Sequence, residues 1–433
     1  MIKDNHLRQP VKGGLFRPHL LAISGPFALS LLNQFIGGGG NFLLNVYLAR
    51  TLTLDQFGIY GIGFGICMLY VGVGNAVILT QMIVNMPDKA ESEKIVYAQS
   101  MLLSLCLMSA SIFLLAAVGS IVVMVFKPEL VHFLPAAFSI MLAAVSLLGA
   151  EFFICYAFLR RQELAAVAVN ALTMLVILTG FVLCQLCHVD ASGSLALLLY
   201  AAGASLSALV AYLISPLRLR LHQPKLLAHF TESWVHGRWA LGGVALTWLQ
   251  SQTYTYVLVF FLGPVGIGQA NAGRIFISPF NFILTSINKV AIPRLVEFRD
   301  SNRVKMFRIS FLLTAGLLVL TTLYSAALLA NMDYVSNLVL GRHDATITSV
   351  VWVWCLMLVV QMARSCGGVL LQVQRKFRLL MLANIPSVIV TIAMSVILIA
   401  RFGVSGAILG LLGGELVLAW LIWKEVLRER AII

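Results

Sequence analysis

Four ionisable side chains stand inside otherwise apolar stretches of this 433-residue sequence: Glu151, Arg274, Arg364 and Glu415. A charge at the centre of a hydrocarbon layer costs roughly 2.5 to 3.5 kcal/mol by insertion scales unless it is paired or hydrated, so each is a candidate for chemistry. Two are cations and two are anions, and together they sum to zero. A guanidinium suits a phosphate, to which it donates two parallel hydrogen bonds while staying charged. A membrane carboxylate suits a proton or a sodium ion. Plainer roles stand beside these: Arg364 and Glu415 as an ion pair, and Glu151, on the order of 10 Å from a helix end, as a neutral acid bonded to a neighbouring helix. Arg274 is the first candidate for holding an anionic substrate and Arg364 the second, with Glu415 and Glu151 as ion-coupling groups.

Neutral polar residues concentrate near the start. Asn33, Gln34, the run Gly37, Gly38, Gly39 and Gly40, then Asn41 and Asn45 fall within one apolar stretch. That density belongs to a helix facing protein or water. Each glycine weakens a helix by roughly 1 kcal/mol relative to Ala. The run therefore reads either as a bend point in a cavity-lining helix or as a place where another backbone packs closely. Gly61, Gly63 and Gly65 are not a nucleotide fingerprint, because no strand precedes them. Cys184-Gln-Leu-Cys187-His188 has the haem-attachment spelling, but no cytochrome-like domain surrounds it, and all seven cysteines read as small apolar packing residues. No cofactor or metal is expected.

The elements that position these residues are membrane helices. The chain is 60% hydrophobic and 11% charged, against roughly 25% charged in soluble domains. Apolar stretches of the length that spans hydrocarbon recur, and twelve are expected: 24 to 49, 57 to 84, 96 to 126, 131 to 158, 164 to 187, 193 to 217, 239 to 262, 266 to 291, 306 to 331, 347 to 373, 379 to 400 and 403 to 423. The first is too long for a signal-peptide core and is expected to be retained. Of the 30 lysines and arginines, 24 fall in the segments, with their flanking turns, that lie on one side of such a topology. Only Arg50, Lys127, Arg342 and Arg401 lie on the other. This asymmetry predicts that both termini are cytoplasmic, and it explains the +13 net charge through anionic headgroups without invoking nucleic acid.

The second half repeats the first. The hairpin from Asn41 to Tyr60, with Arg50, Asp55 and Gly58 at its break, returns about 210 residues later with Gly268 in the place of Gly58. An offset of 214 superposes Arg161 on Arg375 and Asn170 on Asn384. Six spans per half make the repeats parallel, related by an axis along the membrane normal. The expected organisation is a basic tail over 1–23, a first lobe over 24–217, a linker over 218–238, a second lobe over 239–423 and a tail over 424–433.

The Ala49-Arg50 helix end, the short break and Phe57-Gly58-Ile59-Tyr60 resemble the polysaccharide (O-antigen, Wzx-type) flippases of the multidrug/oligosaccharidyl-lipid/polysaccharide (MOP) exporter superfamily. Gly268-x-x-Asn271-Ala272-x-Arg274 is similar to that family's stretch in helix eight. The resemblance implies an all-α, two-lobed, alternating-access transporter rather than an enzyme. Its cargo would be an undecaprenyl-pyrophosphate-linked glycan, driven by an H+ or Na+ gradient across a bacterial inner membrane, alongside other polysaccharide-assembly membrane proteins. It also implies that helix eight, and so Arg274, lines the cavity with Asn33, Gln34, Asn41 and Asn271. Lipid II flippases of the superfamily carry arginines in helices one and two, where this chain offers amides, which points away from lipid II. Two alternatives stand: a drug exporter of the same fold, which would want cavity carboxylates and aromatics for cations, and a membrane-embedded polymerase or glycosyltransferase, which the short loops disfavour.

Overall fold

Long apolar runs without a period of two have one way to satisfy their backbones in hydrocarbon, and every element among the described residues is helical. The computed structural model describes residues 29–431 apart from 31, 220–224, 343 and 375. The expected tail over 1–23, part of the linker and Arg375 of the repeat lie outside the described residues.

A π-helical turn, Phe35–Gly39, leads into α1, Gly40–Thr51. The chain reverses at Leu52 and Thr53, whose hydroxyl accepts from the Gln56 N–H to cap α2, Leu54–Gly74. A second π-helical turn, Asn75–Leu79, joins α2 to α3, Thr80–Asn85. There follow α4 (Glu91–Phe126), α5 (Leu134–Leu159), α6 (Glu163–Leu186) and α7 (Gly193–Ile214). The second half comprises α8 (Leu226–Ile275), α9 (Ser278–Ser301), α10 (Arg303–Ala330), α11 (Met332–Leu340), α12 (Ala345–Val373) and α13 (Phe377–Ala431).

Among the described residues nine helices are long and apolar enough to cross a membrane, where twelve spans are expected. Part of the difference is local geometry. Both α8 and α13 contain one non-helical residue, Gly263 at φ 66° and Gly403 at φ 54°, in the left-handed region that favours glycine. In α13 this makes a hairpin. A Cβ on Gly406, Gly410 or Gly414 would strike Leu398, Ser395 or Thr391 on the arm before the break, so the two arms pack backbone to backbone along a ladder of small residues. The expected eighth span, 266 to 291, is not one helix: α8 ends at Ile275, and α9 restarts with Pro279 in its first turn, where a missing N–H does no harm. The short helix α11 falls in what the sequence reading leaves as a loop. Its buried Met332, Ser336 and Leu340 recur at helical spacing, and Gly341 ends it at φ 65°.

The reciprocal packing of the two hairpins organises the bundle. A Cβ on Gly58 would lie 1.8 Å from the Pro264 carbonyl oxygen, and one on Gly268 would lie 2.0 Å from that of Leu54. A Cβ on Gly61 would meet the Asn271 amide. At an offset of 210 Gly58 corresponds to Gly268 and Leu54 to Pro264, so the first two contacts are one contact seen from each repeat, and Gly61 meets its own counterpart Asn271. The contact is thus self-complementary, as across a two-fold axis. One apolar core is drawn mainly from residues 44–217, and another from residues 254–412. Leu114, Leu115, Ile121, Val125 and Phe126 of α4 lie on the outer surface, and Phe260 is 83% exposed. Apolar surface on this scale belongs against lipid, and the chain is a multi-pass membrane protein.

Candidate functional site

Between the hairpins lies a cavity of about 360 Å³, walled by α1, α2, α8 and α9. Its polar lining among the described residues is almost wholly neutral: Asn41, Asn45, Gln252, Thr255, Asn271 and Asn281, with Arg274 as the one charged residue described there. Arg274 comes near the end of α8, and an aromatic pair holds its guanidinium. Nη1 donates to the Tyr254 hydroxyl at 3.4 Å, and the group lies 5.6 Å from the centre of the Trp354 ring. Trp354 is itself fixed, its indole N–H donating to the Ala270 carbonyl at 2.9 Å and its ring set edge-on to Tyr254. Neither partner carries a negative charge, so the guanidinium keeps its capacity for an anion. On the opposite wall, the Tyr60 hydroxyl is buried beside Tyr200 and Asn45 without a close hydrogen bond to either. Asn41 accepts from the Tyr200 hydroxyl at 2.5 Å and from the Asn45 amide at 3.1 Å.

Beside this chamber is a cavity of about 1230 Å³, lined by α1, α2, α5, α6, α7 and the start of α9. The two share Gly38, Asn41, Phe42, Phe64, Met68 and Phe282 in their walls, so they are neighbours across one thin partition. The larger one is mostly apolar, and among the described residues Glu151 is the one charged residue in its lining. Asn33 and Gln34 also face it, and Asn33 accepts from the Asn170 amide at 2.9 Å. The glycine run reconciles its two sequence readings. Residues Phe35–Gly39 form the π turn along the cavity wall, a form common at functional sites, while Gly37, Gly38 and Gly40 also make room for Asn170, Phe282 and Met174.

The remaining pair of membrane charges is brought together elsewhere. Arg364 Nε donates to a Glu415 carboxylate oxygen at 2.6 Å, and the Gln250 amide donates to the other oxygen at 3.1 Å. Arg364, expected as a second substrate cation, lines neither cavity. Glu415 is buried within this pair.

At the end of the bundle where α1 and α2 meet, backbone carbonyls draw in arginines. Arg342 donates to the carbonyls of Ala49 and of Leu52, the latter at 2.9 Å, and Arg50 donates to Leu338 at 3.4 Å. Gln269 donates to Asp344 at 3.4 Å, and Gln56 accepts from the Gly193 N–H at 3.0 Å. Asp55 occupies the first turn of α2, where a carboxylate complements the helix dipole. At the opposite end, the first turns of α8 dock on α4. His229 Nδ1 lies 2.9 Å from the Ser100 hydroxyl, Lys89 pairs with Glu232 at 3.4 Å, and Lys225 pairs with Glu93 at 3.0 Å. Burial, assisted by Lys89, holds the His229 imidazole below its usual range. The Cys184-to-His188 stretch closes α6, with free thiols, and among the described residues no cluster of acids, cysteines and histidines could hold a metal.

Tyr60, Tyr254, Trp354, Gln252 and Arg342 escape the sequence reading. Buried aromatics in apolar helices read as packing, and one loop arginine reads as topology. A cue for Tyr254 is its spacing of ten residues before Pro264, matching that of Arg274 after it, which sets the two opposite in a hairpin.

The chain matches no family model, and no curated protein matches it by sequence. Solved structures do. The lipid II flippase MurJ in its inward closed conformation aligns over 94% of this chain and 87% of its own, with a TM-score of 0.64 and 14% identity. An inward-facing multidrug resistance MATE family transporter of the MOP superfamily aligns over 93% and 97%, with a TM-score of 0.59 and 14% identity. A mutant of the Vibrio cholerae MATE transporter VcmN aligns over 95% and 98%, at 0.56 and 13%. The all-helical, multi-pass fold of this chain is the one these transporters share.

Proposed function

We propose that the chain is a flippase for undecaprenyl-pyrophosphate-linked oligosaccharide repeat units of a surface polysaccharide (O-antigen or exopolysaccharide). It moves them from the cytoplasmic to the external leaflet of a bacterial inner membrane by alternating access between two lobes, 24–217 and 239–423, joined by a cytoplasmic linker. The observation that carries this reading is the small cavity: one guanidinium, without a counter-charge among the described residues, set among amides and hydroxyls. A guanidinium in a partly dry site favours phosphate oxygens, and amides and a tyrosine hydroxyl favour sugar hydroxyls. The lipid tail stays in the bilayer while the polar part passes between the lobes. An H+ or Na+ gradient supplies the work. Glu415, through its pair with Arg364, is the first coupling candidate and Glu151 the second. Partners would include other membrane proteins of polysaccharide assembly.

Arg274→Ala tests the reading. The protein should reach the membrane at normal levels, because the cation faces a cavity and pairs with no acid. Surface polysaccharide should be lost while lipid-linked repeat units accumulate, and Arg274→Lys should restore part of the activity. Immunoblots of surface glycan, read beside extracted lipid-linked intermediates, make the measurement. Wild-type glycan from a well-expressed Arg274→Ala strain sinks it. The drug-exporter reading draws on Glu151, a carboxylate in a largely apolar cavity of the kind a lipophilic cation would enter. It requires a deletion strain to become sensitive to such cations.

A further inference from the structure

The four membrane charges do not pair off evenly. Arg364 and Glu415 satisfy one another. Among the described residues Arg274 meets only a hydroxyl and a ring, and Glu151, exposed into the larger cavity, has no hydrogen-bond or ionic partner. Two opposite charges are therefore left open, one in each of two adjoining cavities that share six wall residues. A carboxylate exposed into a mostly apolar cavity, with no cation among the described residues beside it, gains from an ammonium that reaches it. A cargo long enough to lie across the partition meets the guanidinium with one part and the carboxylate with another.

We propose that Glu151 is the recognition site for an ammonium group on the cargo, so that the translocated glycan is zwitterionic, its phosphate on Arg274 and an unacylated amino sugar on Glu151. This rests on the flippase reading above and narrows its substrate class. The amides around both charges accommodate neutral sugars of many kinds, whereas a lone carboxylate separates an amine from its amide. An N-acetyl group at that place puts a neutral, bulkier group against an unpaired carboxylate.

The test uses the purified full-length protein in nanodiscs with two short-chain prenyl-pyrophosphoryl disaccharides that differ at one nitrogen, free amine against N-acetyl. Tryptophan fluorescence reports binding at pH 7. The wild type should bind the amine at least about tenfold more tightly, the ratio a charge-assisted hydrogen bond supports. Glu151→Gln, nearly isosteric, should bind both compounds alike, at the affinity the wild type shows for the acetylated one. Glu151→Asp should keep part of the preference, and Arg274→Ala should weaken both equally. Equal affinities in the wild type, or a Glu151→Gln variant that weakens both compounds by the same factor, would overturn the ammonium site while leaving the flippase reading intact. If neither compound binds the wild type, the pyrophosphate-glycan reading falls and this inference with it.

Discussion

Arg364 and Glu415, 2.6 Å apart, show how much of a residue's role depends on what faces it. Removing one member of a buried ion pair strands the other, at a cost of about 3 to 5 kcal/mol. Glu415→Gln should accordingly lower the thermal unfolding temperature in detergent, and adding Arg364→Gln should recover most of that loss. Transport separates the roles. A stable but inactive double mutant keeps Glu415 as the coupling group, whereas recovery of transport along with stability makes the pair structural only. The sequence displays all four charges, since ionisable residues stand out in apolar runs. Which two meet is not legible there, because it depends on how α12 and α13 are rotated toward each other. Gln250, which completes the pair, sits on α8, 165 residues before Glu415.

Elements built on glycine contacts close only when nothing intervenes. A side chain on Gly268 would overlap the Leu54 carbonyl, so Gly268→Val should wedge α2 from α8 at the end where Arg342 and Arg50 hold the α1–α2 turn. A cysteine replacing Ser278, in the wall of the smaller cavity, should then react with an impermeant thiol reagent from outside the cell severalfold faster than in the parent. An unchanged rate would show that this contact does not close the external side. The hairpins themselves are legible: a polar or Gly/Pro break between two apolar runs, recurring at a fixed offset. Their reciprocity and the π turns are not. A π turn has no signature of its own beyond the glycines that permit it, and the break before α9 hides because Pro279 alone does not say whether a helix kinks or restarts.

At the scale of the whole molecule, the fold class follows from composition and span length, since hydrocarbon leaves the backbone few choices. The substrate does not, because it is set by a few side chains in one cavity. Orientation is directly testable. In a cysteine-free background, single cysteines at Asp55 and Asp344 should be labelled by an impermeant reagent on intact spheroplasts, and one at Lys225 should be protected; labelling at Lys225 alone would invert the topology. Arg274 and Glu151, which have no counter-charge among the described residues, also have an electrical consequence. They cancel, so on the flippase reading an empty carrier returning to its inward state would drag no net charge through the field from these groups. On that reading these two groups leave the potential to act on the cargo and the coupling ion, and each uncompensated negative charge leaving a negative interior is helped by about 2.3 kcal/mol per 100 mV. A cargo whose ammonium offsets one phosphate charge draws on that field less than a neutral-sugar cargo does, and leans correspondingly more on the coupling ion.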